Sequence, residues 1–141
     1  MAVRVKVIIR DKFSGREVVA NALANSGFEA TTRKILIPKK VAEILGLWPL
    51  PEDAEVVSFD SVGGEVGLYL IRNRALLRIY GEESDFVECD VLISTIEKEV
   101  LLSDKVISAL EIVLEDPGAG LWRLRRDPPN KLRRTEEKQL W

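Results

Sequence analysis

Short β-type runs, broken at close intervals by turn residues, constrain this chain more than any other feature. Val3, Val5, Val7 and Ile9 alternate with Arg4, Lys6 and Ile8, close to the period of two expected of a half-buried strand. Residues 11–16, with Ser14-Gly15 among them, read as a hairpin turn returning through Glu17 to Ala24. From Ala54 onward the runs 56–59, 66–71, 75–80 and 86–93 are separated by Ser61-Val62-Gly63-Gly64, Arg72-Asn73-Arg74 and Gly81-Glu82-Glu83-Ser84. This spacing predicts an all-β barrel or sandwich rather than alternating strands and helices. No repeat at solenoid spacing is visible.

Two short helices interrupt the pattern. Pro38 suits a first helical turn, Val41, Ile44 and Leu45 share one face, and Gly46 supplies a stop. Trp48-Pro49-Leu50-Pro51 then reads as a connector whose Trp packs on the core. Ser103 is placed to cap a second helix carrying Val106, Ile107 and Leu110. Strands are expected at 112–114 and 121–124, with a turn at 116–120 between them. Order is expected to end near Asp127, dividing the chain into a domain over 1–126 and a charged, flexible tail over 127–141.

Composition excludes several chemistries. A chain of 141 residues is long enough for one domain with a real core and too short for two ordinary ones. Histidine is absent, which removes imidazole bases and His-based triads. Cys89 is alone, so no disulfide framework or cysteine metal cluster forms; it reads as a small buried apolar side chain, and no cofactor or metal is called for. A net charge of −2 argues against general coating of nucleic acid, so any basic surface must be local. One such surface is the cluster Arg123, Arg125, Arg126, Lys131, Arg133 and Arg134, available to RNA, DNA or an acidic partner, or equally a solvated terminus diluted by Glu136-Glu137. No stretch approaches the length of a membrane helix and the start lacks a signal-peptide design, so a cytoplasmic protein is expected. Abundant charge of both signs with one Gln, one Met and one Cys resembles hyperthermophile composition.

The stretch Ala24-Asn25-Ser26-Gly27-Phe28-Glu29-Ala30-Thr31-Thr32 lies between two apolar runs, 18–24 and Ile35-Leu36-Ile37. A strand entering a polar Gly-containing turn, then an apolar strand, Pro38 and a short helix ending in Leu45-Gly46-Leu47, resembles the catalytic-loop region of retropepsin-like aspartic proteases. Val100-Leu101-Leu102-Ser103 and the helix after it resemble that family's closing strand and C-terminal helix, so the resemblance spans most of 18–122. It implies a small closed β-barrel of the acid-protease type, a homodimer whose site forms across the two-fold axis, and a peptide as substrate. It places Asn25 where the family has its catalytic Asp, with Ser26 and Gly27 completing the motif. Ser103 stands where the closing strand usually has Gly. By the same resemblance, Glu29 meets the substrate backbone, and the hairpin around Gly63 and Gly64 is the flap that closes over it.

The substitution at Asn25 decides the expected chemistry. Aspartic proteases need two carboxylates sharing a proton, one acting as base and the other as acid. An amide keeps the shape of a carboxylate but accepts no proton near neutral pH, and loss of such a group costs about 10²–10⁴ in rate. The expectation is a peptide-binding relative with impaired or absent proteolysis. An active endopeptidase using Glu29, Asp104 or deamidated Asn25, and an interaction module using the basic tail, are the alternatives.

Overall fold

A computed structural model describes residues 2–61 and 64–141, with the side chains of 58–66 left aside. Its main body is a closed barrel of six strands: β1 (Arg4–Asp11), β2 (Glu17–Ala24), β3 (Lys34–Pro38), β5 (Gly64–Ile79), β6 (Val87–Ser94) and β7 (Leu101–Leu102). They lie in the order β1-β2-β7-β3-β6-β5, and β5 returns to pair with β1 and close the circle. β4 (Glu55–Ser61) pairs with the first half of β5 and projects from the closed part as an antiparallel hairpin. The expected mainly β, closed-barrel fold with short helices is thus found.

The alternation in β1 explains why it closes around a core. Val5, Val7 and Ile9 are fully buried while their neighbours face outward, and β2 opposite contributes Val18, Ala20, Ala22 and Ala24 to the same interior. Each such aliphatic side chain taken from water contributes roughly 1.5–3 kcal/mol, so the register of the β1–β2 hairpin is strongly specified. The hairpin turns at Gly15, with φ of 77°, and Asp11 accepts the Ser14 N–H at 2.9 Å. Asp11 also receives the Arg74 guanidinium at 2.8 Å. Burial pushes its pKa up, but the hydrogen bonds from Ser14 and Arg74 outweigh this and hold the carboxyl below its ordinary value.

Helix α1 (Lys39–Leu45) follows β3 directly from Pro38 and buries Val41, Ala42 and Leu45 against the barrel. It ends at Gly46, whose φ of 76° is the left-handed conformation that glycine adopts without a Cβ penalty. Helix α2 (Asp104–Ala109) is capped by Ser103 and buries Val106 and Ile107. These are the two α-helices among the described residues.

One strand of the barrel departs from the sequence expectation. Arg72-Asn73-Arg74, read as a break between two strands, lies inside a single long β5. The register against β6 shifts between Ile71 and Ala75, and Asn73 takes φ of 45° there. This is a bulge that bends the strand without ending it. It lets the first half of β5 pair with β4 and the second half with β1. Asp90 on β6 fixes the bend by accepting the Asn73 N–H at 2.7 Å and the Thr32 hydroxyl at 2.6 Å.

A second sheet comprises β8 (Ile112–Asp116), β9 (Leu121–Leu124) and β10 (Arg133–Arg134), with a 3-10 turn over Pro117–Ala119. Trp122 and Leu124 of β9 enter the main core. Residues 127–141, for which the sequence suggests a flexible tail, contain β10 and a series of contacts with the barrel. Glu136 N–H donates to the Arg4 carbonyl at 2.8 Å, Asn21 N–H to Gln139 Oε1 at 2.8 Å, and Trp141 N–H to the Lys98 carbonyl at 2.8 Å. Trp141 packs partly buried on the core.

Candidate functional site

The loop after β2 is shaped by its own polar groups. Asn25 N–H reaches the Leu102 carbonyl at 3.3 Å, its Oδ1 accepts the Gly27 N–H at 3.1 Å, and its carbonyl accepts the Phe28 N–H at 2.9 Å. The side-chain bond to the residue two positions on is the Asx turn for which Asn is suited. Asn25 is half-buried, while Ser26, Gly27 and Glu29 are exposed.

The start of α2 holds the far side of this loop. Asp104 N–H donates to the Phe28 carbonyl at 2.9 Å, and Asp104 Oδ1 accepts the N–H of Ala30 at 3.1 Å and of Lys105 at 2.8 Å. Ser103, fully buried, donates its N–H to the Lys34 carbonyl at 3.1 Å. Its hydroxyl accepts the Lys34 N–H at 3.1 Å and the Val106 N–H at 3.4 Å. The loop at 25–31 and the segment 100–104 are therefore one unit, with β7 inserted between β2 and β3.

A cleft of about 360 Å³ opens beside the loop, bordered by Phe28, Glu29, Ala30, Thr31 and Lys34 on one side and by Val57, Leu70 and Leu92 on the other. Its floor belongs to a small apolar cluster on the outer surface of the barrel. Leu36, Leu68, Leu70 and Leu92 are buried there, with Phe28, Val57 and Leu101 packed against them. The volume lies in the range of small-ligand sites, and apolar walls with a few polar groups at the rim are their usual composition. Lys34 at the rim is held by Asp90 at 3.6 Å.

Of the residues marked in the sequence, Asn25, Ser26, Gly27 and Glu29 share this loop, and Glu29 borders the cleft. Gly64 opens β5 opposite Ser61, whereas Gly63 lies outside the described residues. The apolar lining is not among the residues marked by the sequence motif. Its signal was present: Ile35-Leu36-Ile37 and Val91-Leu92-Ile93 are apolar at successive positions, which a strand facing solvent on one side does not require.

The ionisable groups nearby limit what the site can do. Asn25 carries no proton-accepting carboxylate, and Asp104 spends one oxygen on two backbone N–H groups. Asp90 sits behind the loop. Burial raises its pKa, but the Thr32 hydroxyl, the Asn73 N–H and Lys34 together hold it below the ordinary carboxylate value. The Cys89 thiol is buried and pushed up to about 12 by that burial, too high for a nucleophile near neutral pH. Among the described residues no group of His, Cys, Asp and Glu has the arrangement of a metal site.

Much of the basic cluster is matched by acids inside the domain. Arg123 pairs with Glu115 at 2.5 Å, Arg126 with Glu82 at 2.9 Å and Glu111 at 3.3 Å, and Lys131 with Asp127 at 3.9 Å. Arg133 meets both Asp127 at 2.9 Å and Glu82 at 2.7 Å. Its guanidinium, more than any other cause, lowers the Asp127 pKa to about 2. Arg125 donates to the Ser108 carbonyl at 2.6 Å, and Arg134 contributes its backbone to β10.

No protein-family model matches this chain, and no curated protein matches it. No described helix is long and apolar enough to cross a membrane.

Proposed function

We propose that the chain is a retropepsin-like domain that works as a homodimer, binds an extended peptide in the cleft beside Asn25, and has lost most or all proteolytic activity. One observation carries this reading. Two segments far apart in sequence, the loop that opens with Asn25-Ser26-Gly27 and Val100–Asp104, meet through backbone and Asp104 hydrogen bonds at the edge of an apolar cleft. That junction within a closed six-stranded barrel is what a retropepsin-like arrangement requires of these segments.

In this reading the apolar walls at Val57, Leu70 and Leu92 hold a ligand side chain, and Glu29 at the rim faces its backbone. A second copy brings a second Asn25 to the two-fold axis, so two amides replace the carboxylate pair. The pair then has hydrogen-bonding groups but no base to activate water. Asp104 is a poor replacement because its carboxylate is committed to the loop.

Sedimentation of the full chain, together with pepstatin binding measured by calorimetry, tests the assembly and the cleft. A dimer that binds pepstatin in the wild type, and loses that binding on Leu92→Asp while remaining folded, supports the reading. A monomer at all concentrations, or pepstatin binding indifferent to Leu92, contradicts it.

A further inference from the structure

A different surface gathers cations and aromatic rings. On the outer side of β1, β5 and the segment leading into β6, Lys6 stands opposite Tyr80, Ile8 opposite Arg78, and Arg10 opposite Leu76. The guanidinium carbons of Arg10 and Arg78 lie 4.3 and 4.4 Å from the centroid of the Phe86 ring, so two like charges are held on one side chain. The Lys6 ammonium lies 5.5 Å from the centre of the Tyr80 ring, which is 55% exposed.

Acids answer only part of this charge. Arg10 pairs with Glu17 at 3.4 Å, and Lys12 at the end of the face pairs with Glu88 at 3.2 Å. Lys6 and Arg78 have no acidic partner among the described residues, and Arg78 Nε is buried without a hydrogen-bond partner. Contact with a ring offsets about 0.5–1 kcal/mol per cation at an exposed site, which leaves the demand for an anion unmet. In the tail cluster, by contrast, Arg123, Arg126 and Arg133 already have acids.

We infer that this face binds the phosphodiester backbone of single-stranded nucleic acid. Lys6, Arg10 and Arg78 meet phosphates along about 13 Å of sheet, the span of four residues on β1. Tyr80 offers its ring to a base, the combination of cation and exposed aromatic by which single strands are held without sequence preference. Three phosphate contacts give a plot of log K against log salt with a slope of roughly −2.

The test is fluorescence anisotropy of a labelled oligothymidylate with the full-length protein from low to physiological salt. Wild type is compared with Lys6→Gln/Arg78→Gln and with Arg134→Gln, each checked for folding by its melt. The inference expects roughly tenfold or greater weakening and a shallower slope by about 1.4 for the double variant, with Arg134→Gln unchanged. Absence of binding, equal binding by the double variant, or loss confined to Arg134→Gln overturns it. So does full displacement of the oligonucleotide by inorganic phosphate at equal phosphate concentration, which marks an isolated anion site.

Discussion

Removing the hydroxyl of Ser103 should destabilise the barrel at the junction that positions the Asn25 loop. This side chain is fully buried and serves two backbone donors, Lys34 N–H at 3.1 Å and Val106 N–H at 3.4 Å. Loss of the cap on α2 costs about 1 kcal/mol. The partly buried Lys34 N–H, left with no acceptor, costs roughly 1–3 kcal/mol more. Ser103→Ala should therefore lose about 2–4 kcal/mol in urea unfolding, and its melting temperature should fall by roughly 7–14 °C. Hydrogen exchange should quicken at Lys34 and Val106 before it does on β1. A loss below about 0.5 kcal/mol with unaltered exchange at Lys34 would refute the claim that this hydroxyl fastens α2 to β3.

Asp127→Asn should destabilise the docked tail by about 1–2 kcal/mol at neutral pH, because it removes a carboxylate held near a pKa of about 2 by Arg133. The folded pKa lies below the unfolded one, so this contribution is present above about pH 4 and is lost as pH falls through about 2. Wild type and variant should converge in stability at the acid end; a constant gap there would contradict the linkage. Gly46→Ala should cost roughly 1–2 kcal/mol through its φ of 76° and the approach of the new Cβ to Arg16, measured by chemical unfolding.

Local elements were legible in the sequence where a single segment carried the whole signal. The β1–β2 hairpin follows from near-alternation and Ser14-Gly15, and α1 from Pro38 and Gly46 at its two ends. Ser103 was recognisable as a cap, but its second bond to Lys34 depends on β7 lying beside β3, which no local pattern states. The bend in β5 was misread because Arg72-Asn73-Arg74 has turn composition. The strand continues there because Asp90 and Asp11, distant in sequence, satisfy Asn73 N–H and the Arg74 guanidinium. The contacts of 133–141 were hidden for the same reason: backbone donors and acceptors on Arg4, Asn21 and Lys98 complete them. The loop at 25–29 was found from sequence, whereas the cleft beside it needed the outward-facing leucines of three strands to converge.

The most direct test of the central claim is peptide cleavage across acid to neutral pH, with and without pepstatin, by wild type and Asn25→Asp side by side, intact mass confirming residue 25. The account predicts cleavage by the Asp variant alone, with an acid optimum and inhibition by pepstatin, because restoring one carboxylate per protomer restores the shared-proton pair at the two-fold axis. Cleavage by wild type at a comparable rate would contradict the role given to Asn25, and silence from both proteins would contradict the site itself.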